Sequence, residues 1–293
     1  MNVLPSAATR LLVLLGDPVS HSLSPTFQNA AVRAAALDAV YVALRCSAGS
    51  LPELLRAIAR AGGAGNVTVP HKQLAAATVE RRTEAVERTG ACNTFWFEGG
   101  EIWGDNTDVT GIAHALHALP GAPSTGARVL LLGAGGAAHA ALDALIGQGA
   151  REVVLLNRTA ARTELLRDRF AGSSTTTLRA VNCKEDLSGD EFDLVINSTS
   201  LGLHADDPLP LSPGSGIRFR AALDLVYRPE ETPWVRAVRS GGVPAADGMN
   251  MLLYQGAAAF ERWWGRPAPI HAMQASLPRS FPDEEISLAS HGR

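Results

Sequence analysis

Three short segments gather side chains that could reduce a carbonyl. Asn66–Val67–Thr68–Val69–Pro70–His71–Lys72 sets an amine at the end of a polar run. An amine facing a carbonyl can act as the general acid of its reduction. Gly104–Asp105–Asn106–Thr107–Asp108 supplies two carboxylates, Asp105 and Asp108, either of which could orient that amine. Ser20–His21–Ser22–Leu23–Ser24–Pro25 includes Ser22 and Ser24, two positions apart, whose hydroxyls in extended backbone point to one side. Beside a helix N-terminus such a pair suits a substrate carboxylate. Asn93 and Thr94 add hydrogen-bonding groups typical of a polyol site.

The amine stands out because lysine is scarce. Of 26 basic residues, 24 are arginine and two are lysine, Lys72 and Lys184. Arginine stays charged, whereas lysine can give up a proton. Lys184, in the polar stretch Asn182–Cys183–Lys184–Glu185–Asp186, reads as solvated surface. Lys72 is the one that needs a chemical reason.

The elements that position these groups follow from length and pattern. At 293 residues the chain suggests two domains, and 46% hydrophobic against 19% charged residues excludes disorder. With 26 basic and 29 acidic residues the net charge is −3, which provides no footprint for nucleic acid or an anionic membrane. No apolar run approaches the ~18 residues of a span, and Leu11–Leu15 is too short for a signal peptide. Cys46, Cys92 and Cys183 are odd in number and form no CxxC, so they are expected to be reduced, buried thiols of a cytoplasmic protein.

Strands are expected over 11–15, 40–44 and 66–69, and helices over 25–37, 51–61 and 73–88, with Ser24 as N-cap of the first. A hairpin across Gly99 and Gly100 joins 94–97 to 101–104. Together these form an α/β unit with a mostly parallel sheet. After the helix 111–119 and the linker 120–126, a second α/β unit has strands over 129–132, 152–156, 194–197 and 221–226 and helices over 137–145 and 160–170. Residues 249–264 form a helix apolar on most faces, expected to lie between the domains, and the tail from Ser276 is expected to be loose. The fold class is therefore two α/β domains, the second reading as Rossmann-like by the glycine run, Gly133–Ala138, that follows its first strand.

Gly133, Ala134, Gly135, Gly136, Ala137 and Ala138 form GxGxxA between a strand and a helix. The first glycine permits the tight turn, the second lets backbone approach a pyrophosphate, and a small third residue allows close packing. The next strand ends before Asn157, where a carboxylate would hold the ribose hydroxyls of NAD. Arg158, Thr159 and Arg162 follow instead, a guanidinium pair with a hydroxyl that suits a 2′-phosphate. NADP is expected over NAD. His114 and His117 lie three apart on a predicted helix without a third ligand, so no metal is expected.

In this order the motifs resemble the shikimate dehydrogenase family: SHSLSP from Ser20, NVTVPHK from Asn66, GACNT from Gly90, GDNTD from Gly104, GAGGA from Gly133, NRT from Asn157, DLVY from Asp224 and DGMNMLLYQGA from Asp247. The resemblance spans nearly the whole chain. It implies NADPH-dependent reduction of 3-dehydroshikimate to shikimate, on the route to aromatic amino acids. It implies Lys72 and Asp108 as the catalytic pair, Ser22 and Ser24 as carboxylate binders, and Thr68, Asn93, Tyr227 and Gln255 as further substrate contacts. Gly133–Ala137, with Asn157, Arg158, Thr159 and Arg162, match the cofactor segments. Leu225 and Gly248 resemble groups near the nicotinamide, and Glu84 a group lining the cofactor cleft. The family layout implies a discontinuous substrate domain, 1–108 plus 248–293, around a cofactor domain, 109–247, in a monomer or homodimer. Three departures surround the cofactor cleft: Val109 and Thr110 before Gly111, the run Asn197–Ser198–Thr199–Ser200, and Asn250 where glycine is frequent.

Two alternatives follow from the same residues. One is a quinate/shikimate or aminoshikimate dehydrogenase, since the serine pair accepts either acid. The other is a non-catalytic NADP-binding sensor, which would be expected to have lost the amine and carboxylate. Lys72→Arg keeps the charge and should lose most of the turnover, roughly 10²-fold or more, with a smaller change in KM. Steady-state kinetics check this, and near wild-type kcat would make Lys72 a purely electrostatic group.

Overall fold

The computed structural model describes residues 5–123, 125–172, 175–204, 206–212 and 214–278. The first unit runs β1 (Arg10–Gly16), α1 (Ser24–Ala34), β2 (Ala39–Arg45), α2 (Leu51–Arg60), β3 (Ala64–Val67), α3 (Lys72–Thr78), β4 (Arg81–Arg82), α4 (Glu84–Thr89), β5 (Thr94–Glu98), β6 (Glu101–Asp105) and α5 (Asp108–Ala118). Its sheet has the order β2-β1-β3-β5-β6-β4. β1 pairs parallel with β2 and β3, and β4 parallel with β6, while β5 is antiparallel to both neighbours. The unbroken apolar run of β1 suits its central place, with Leu12–Leu15 buried on both faces. Gly99 and Gly100, at φ 62° and 88°, close the β5–β6 hairpin.

Several boundaries differ from the sequence expectation, among them the start of α5, which is Asp108 rather than 111. The helix expected over 73–88 is two short helices separated by β4. Glu80 donates its backbone N–H to the Ile102 carbonyl at 2.8 Å, and its carboxylate accepts from the Ile102 N–H at 2.8 Å. Sheet pairing with β6 thus wins over continued helix. β3 begins at Ala64 and ends at Val67, because the chain then turns, the Thr68 carbonyl accepting from the His71 N–H at 2.9 Å. Ser24 is not an N-cap: it is already helical, and Leu23 precedes it with helical dihedrals and no side-chain cap. α1 stops at Ala34 because Ala36 takes φ 52°, which a helix cannot continue through.

The second unit runs β7 (Arg128–Leu132), α6 (Gly136–Gly147), β8 (Glu152–Leu156), α7 (Ala160–Phe170), β9 (Thr177–Val181), β10 (Glu191–Phe192), β11 (Leu194–Asn197), β12 (Arg218–Phe219), β13 (Ala222–Asp224), α8 (Pro233–Ser240), β14 (Ala245–Ala246), α9 (Met249–Trp264) and α10 (Ile270–Ala275). Its main sheet is parallel throughout, in the order β9-β8-β7-β11-β13-β14, with β10 and β12 paired separately. This is the doubly wound order, which reverses between β7 and β11 and opens a crevice beyond their carboxyl ends. β13 is shorter than expected, running from Ala222 to Asp224, whose carboxylate then accepts from the Val226 N–H at 3.1 Å and turns the chain. β9, α8 and α10 were not expected. Cys46 and Cys92 are buried free thiols, but Cys183 is only half-buried, contrary to expectation. Of the tail from Ser276, residues 279–293 lie outside the described residues.

α9 is sandwiched as its apolar faces require. A Cβ on Gly111 of α5 would stand 2.6 Å from the Met251 carbonyl oxygen and 2.9 Å from Gln255 Cβ, so these helices cross with backbones nearly touching. On the other side the Phe27 ring of α1 packs against Gly256, and Gln28 donates to the Gly256 carbonyl at 2.9 Å. A second joint holds the end of α4 against α6 and α7. Arg88 grips Asp143 at 2.7 and 3.1 Å, His139 Nδ1 meets the Thr89 carbonyl at 2.7 Å, and Arg169 donates to the Arg88 and Glu87 carbonyls, both at 2.7 Å.

Gly111→Ala should destabilise the chain by about 2 kcal/mol despite alanine's better helix propensity, because backbone on the facing helix cannot yield. Urea unfolding checks this, and an unchanged midpoint would mean the two helices can part at no cost.

Candidate active site

Lys72 is the first residue of α3, held there from two sides. His71 Nε2 bonds the Cys46 carbonyl at 2.8 Å, and the Lys72 carbonyl accepts from the Cys92 N–H at 2.9 Å. The Lys72 ammonium donates to Asp108 Oδ2 in a short hydrogen bond. The pair is withdrawn from water, the side chains 13% and 4% exposed. Asp108 opens α5, where the helix dipole favours a carboxylate. Its other oxygen accepts from Asn93 Nδ2 at 2.8 Å, and the same amide reaches Gln255 Oε1 at 3.5 Å. Lys72, Asp108, Asn93 and Gln255 therefore form one cluster drawn from four parts of the chain.

Asp105, the other candidate partner of Lys72, is fully engaged elsewhere. Its Oδ1 accepts from the Thr83 hydroxyl at 2.5 Å and the Asn106 N–H at 2.8 Å, and its Oδ2 from Arg262 at 2.8 Å. It ties α9 to the hairpin.

The serine pair is arranged differently from an extended strand. Leu23 between them is helical, and the Ser22 hydroxyl accepts from the Ser24 N–H at 3.2 Å. Each hydroxyl instead faces a tyrosine, Ser22 the Tyr227 hydroxyl and Ser24 the Tyr41 hydroxyl. Burial pushes both phenols up, and the serines pull them partly back. Tyr227 comes from the loop after β13, so this contact spans the two units. Thr68 sits at the turn after β3, its N–H donating to the Leu15 carbonyl at 2.8 Å and its methyl filling the space beside Gly16.

Gly133 takes φ 106° directly after β7, a conformation only glycine adopts easily, and a Cβ there would stand 2.7 Å from Ser198 Oγ. Ser198 clamps the end of β7, donating from its N–H and hydroxyl to the Leu132 carbonyl at 2.8 and 2.6 Å. Gly135 is open, with nothing within 4 Å of a Cβ position, and α6 starts at Gly136. This turn and the helix N-terminus after it form a cradle at the sheet's switch point, and it fits a dinucleotide pyrophosphate. A Cβ on Gly136 would lie 3.5 Å from Lys72 Cδ, so the cradle borders the amine.

At the end of β8, Asn157 Nδ2 donates to the Thr159 carbonyl at 3.1 Å and shapes the turn. Arg158 and Arg162 are exposed, and among the described residues neither has an ion-pair partner. Many other surface arginines are paired, as Arg45 with Asp17 and Arg60 with Glu80. A loose guanidinium pair beside an exposed Thr159 fits a phosphate.

Leu225 and Gly248 touch: a Cβ on Gly248 would run into the Leu225 carbonyl, and Gly248 donates to the Val226 carbonyl at 3.0 Å. Behind them Asp224 accepts from Asn197 Nδ2 at 2.8 Å, the Val226 N–H at 3.1 Å and the Thr232 hydroxyl at 2.8 Å. Asn197 opens the run flagged as a departure, and it anchors this loop. Val109 packs into the second unit's core, and Gly111 takes the close helix contact. Glu84 lies on α4 with 94% of its side chain exposed, paired with Arg88 at 3.3 Å, and no contact joins it to the cluster. Tyr41, Thr107 and Asp224 were missed as candidates. Their signal was a polar group in an apolar strand or a motif, visible only when its partners are known. His114 stacks on Tyr254, centroids 4.2 Å apart.

Sequence models match three parts of the chain: the shikimate dehydrogenase substrate binding domain over 14–95, shikimate / quinate 5-dehydrogenase over 116–204, and the shikimate 5'-dehydrogenase C-terminal domain over 248–277. The shikimate dehydrogenase (NADP(+)) of Mesorhizobium japonicum is 39% identical over 274 residues, 92% of this chain and 96% of that protein. That of Alkalilimnicola ehrlichii is 40% identical over 272 residues, 90% and 97% of the two chains. The crystal structure of shikimate 5-dehydrogenase from Thermus thermophilus in complex with NADP(H) and shikimate superposes with a TM-score of 0.82 at 34% identity, covering 93% of this chain and all 100% of that one.

Burial raises the Asp224 carboxyl from 3.8 to about 6, against the pull of Thr232, Val226 and Asn197. A folded value above the unfolded one contributes stability below pH ~4 that is lost as pH rises through about 6. Relative to Asp224→Asn, the wild type should therefore lose stability across that window, by at most roughly 3 kcal/mol. Urea unfolding of both at pH 4 to 7 checks this, and a difference flat with pH would contradict it.

Proposed function

The chain belongs to the shikimate dehydrogenase family, and on that premise we propose that it catalyses the reversible, NADPH-dependent reduction of 3-dehydroshikimate to shikimate, on the route to aromatic amino acids. One observation carries the reading: the buried Lys72–Asp108 pair borders the dinucleotide cradle at Gly136, so a proton donor and the cofactor's loop share one cleft.

In this reading Lys72 delivers a proton to the oxygen of the C3 carbonyl, and Asp108 holds the lysine and the neighbouring hydroxyl. Such assistance contributes roughly 10² to 10⁴ in rate. Ser22 and Ser24 bind the substrate carboxylate, with Tyr227 beside them. Thr68, Asn93 and Gln255 hold the ring hydroxyls. When bound, NADPH supplies the hydride. Gly133, Ala134, Gly135, Gly136 and Ala137 bind the pyrophosphate, Asn157, Arg158, Thr159 and Arg162 the 2′-phosphate, and Leu225 and Gly248 border the nicotinamide. Residues 1–108 with 248–293 act as the substrate domain and 109–247 as the cofactor domain, a division supported by the seating of α9 against α1, while its crossing with α5 joins the two. Free cysteines support a cytoplasmic setting. Among the described residues no helix is long and apolar enough to cross a membrane.

Oxidation of shikimate and of quinate, each with NADP⁺ and NAD⁺, tests the reading. Shikimate with NADP⁺ should turn over fastest. Quinate with NAD⁺ leading would point to a quinate dehydrogenase, and no turnover in any combination would sink the enzymatic reading.

A further inference from the structure

Behind Asn93 runs a chain of buried hydrogen bonds that the proposed chemistry does not itself use. The Tyr41 hydroxyl donates to Asn66 Oδ1 at 2.8 Å, and Asn66 Nδ2 donates to Thr94 Oγ1 at 2.9 Å. Thr94 Oγ1 donates to Asn93 Oδ1 at 2.9 Å, and Asn93 Nδ2 donates to Asp108 Oδ1 at 2.8 Å. Every member is buried, Thr94 fully so. All four bonds run in one direction, each group donating toward the carboxylate that receives Lys72, and bonds aligned in this way polarise one another.

The orientation of both amides is forced rather than chosen, and the Thr107 hydroxyl, 3.1 Å from both Thr94 Oγ1 and Asn93 Oδ1, joins the chain at its middle. The Thr107 N–H, a donor that cannot reverse, points at Asn93 Oδ1 from 2.8 Å. The Asn93 oxygen must therefore face Thr107 and Thr94, which leaves its amide protons for Asp108 and Gln255. Asn66, likewise, has its amide committed to the Asn93 carbonyl at 3.1 Å as well as to Thr94, so its oxygen can only accept from Tyr41. Tyr41 also faces Ser24, so the chain runs from the serine loop to Asp108 across β2, β3 and β5.

We propose that Thr94, with Asn66 and Tyr41 behind it, is a positioning residue that holds the Asn93 amide toward Asp108 and so sets the carboxylate's aim at Lys72. The proposal rests on the dehydrogenase reading. It assigns Thr94 no contact with substrate, and for Thr94 it predicts an effect on turnover rather than on binding.

The test uses Thr94→Val, which keeps the shape and removes the hydroxyl. The expected result is a fall in kcat of roughly three- to tenfold, the worth of one buried hydrogen bond, with KM for shikimate changed by less than about twofold. Thr94→Ser should restore kcat, and Tyr41→Phe should lower it in the same direction. A valine variant that keeps kcat, or loses only melting temperature, or is not rescued by serine, would overturn the proposal. Should valine not fold, Tyr41→Phe decides by its kcat alone. Wild-type turnover in the same assay separates the two readings: its absence defeats the dehydrogenase, whereas normal wild type with unaffected variants defeats the relay alone. The crystal structure of Thr94→Val is independent of activity. It should show Asn93 Nδ2 drawn away from Asp108 with the amide oxygen still held by the Thr107 N–H, and an unchanged 2.8 Å contact would count against the relay.

Discussion

A lysine and an aspartate held together out of water form the constraint on which this structure turns. Removing two charges from solvent costs several kcal/mol per ion, repaid only where every remaining donor and acceptor finds a partner. Lys72 and Asp108 come from the first turns of two helices 36 residues apart, so neither helix alone can satisfy them. The hairpin β5–β6 lies between in sequence and carries the answer. Asn93 leads into one of its strands and donates to Asp108, while Asp105 ends the other and is held by Arg262 of α9.

Close backbone approach is the second theme. Gly111 lets α5 and α9 cross tightly, Gly256 admits the Phe27 ring, and Gly248 admits the Leu225 carbonyl. Each contact brings a polar group where distance would otherwise forbid it: Gln255 to Asn93, and the β13 loop to the head of α9. Gly136 does the same between units, setting the dinucleotide cradle against the lysine stem. Hydride transfer requires such proximity and the exclusion of water around it. The joint at α4, with Arg88, His139 and Arg169, keeps the two units registered at the far side of the same cleft.

Much of this was legible in the linear chain. The strand–glycine–helix run at Gly133, the absence of a carboxylate at Asn157 and the solitary lysine in the third motif all follow from local chemistry, because each is a property of a few adjacent residues. α7, β11 and the helix Met249–Trp264 have the limits their periodicity predicts. Where the expectation failed, a distant partner had intervened. Residues 73–88 have helical character throughout, yet β6 captures the backbone at Arg81 and Arg82. Ser24 looks like a cap, yet Leu23 already turns helical and the hydroxyl faces Tyr41.

The amino-acid sequence by itself determined the chemistry available: an amine, a choice of two carboxylates, a phosphate cradle and a guanidinium pair, each encoded by residue type and short spacing. Residue type and spacing left two carboxylates for the amine; the family resemblance implied Asp108, and the tertiary structure supplies the physical reason, since Asp105 and Asp108 differ by three positions and only their neighbours tell them apart. Asp105 is claimed by Thr83 and by Arg262, 157 residues away, which leaves Asp108 for Lys72. The chain from Tyr41 through Asn66 and Thr94 was equally invisible, because hydrogen-bond direction depends on which groups meet in space, and a linear pattern carries no record of that.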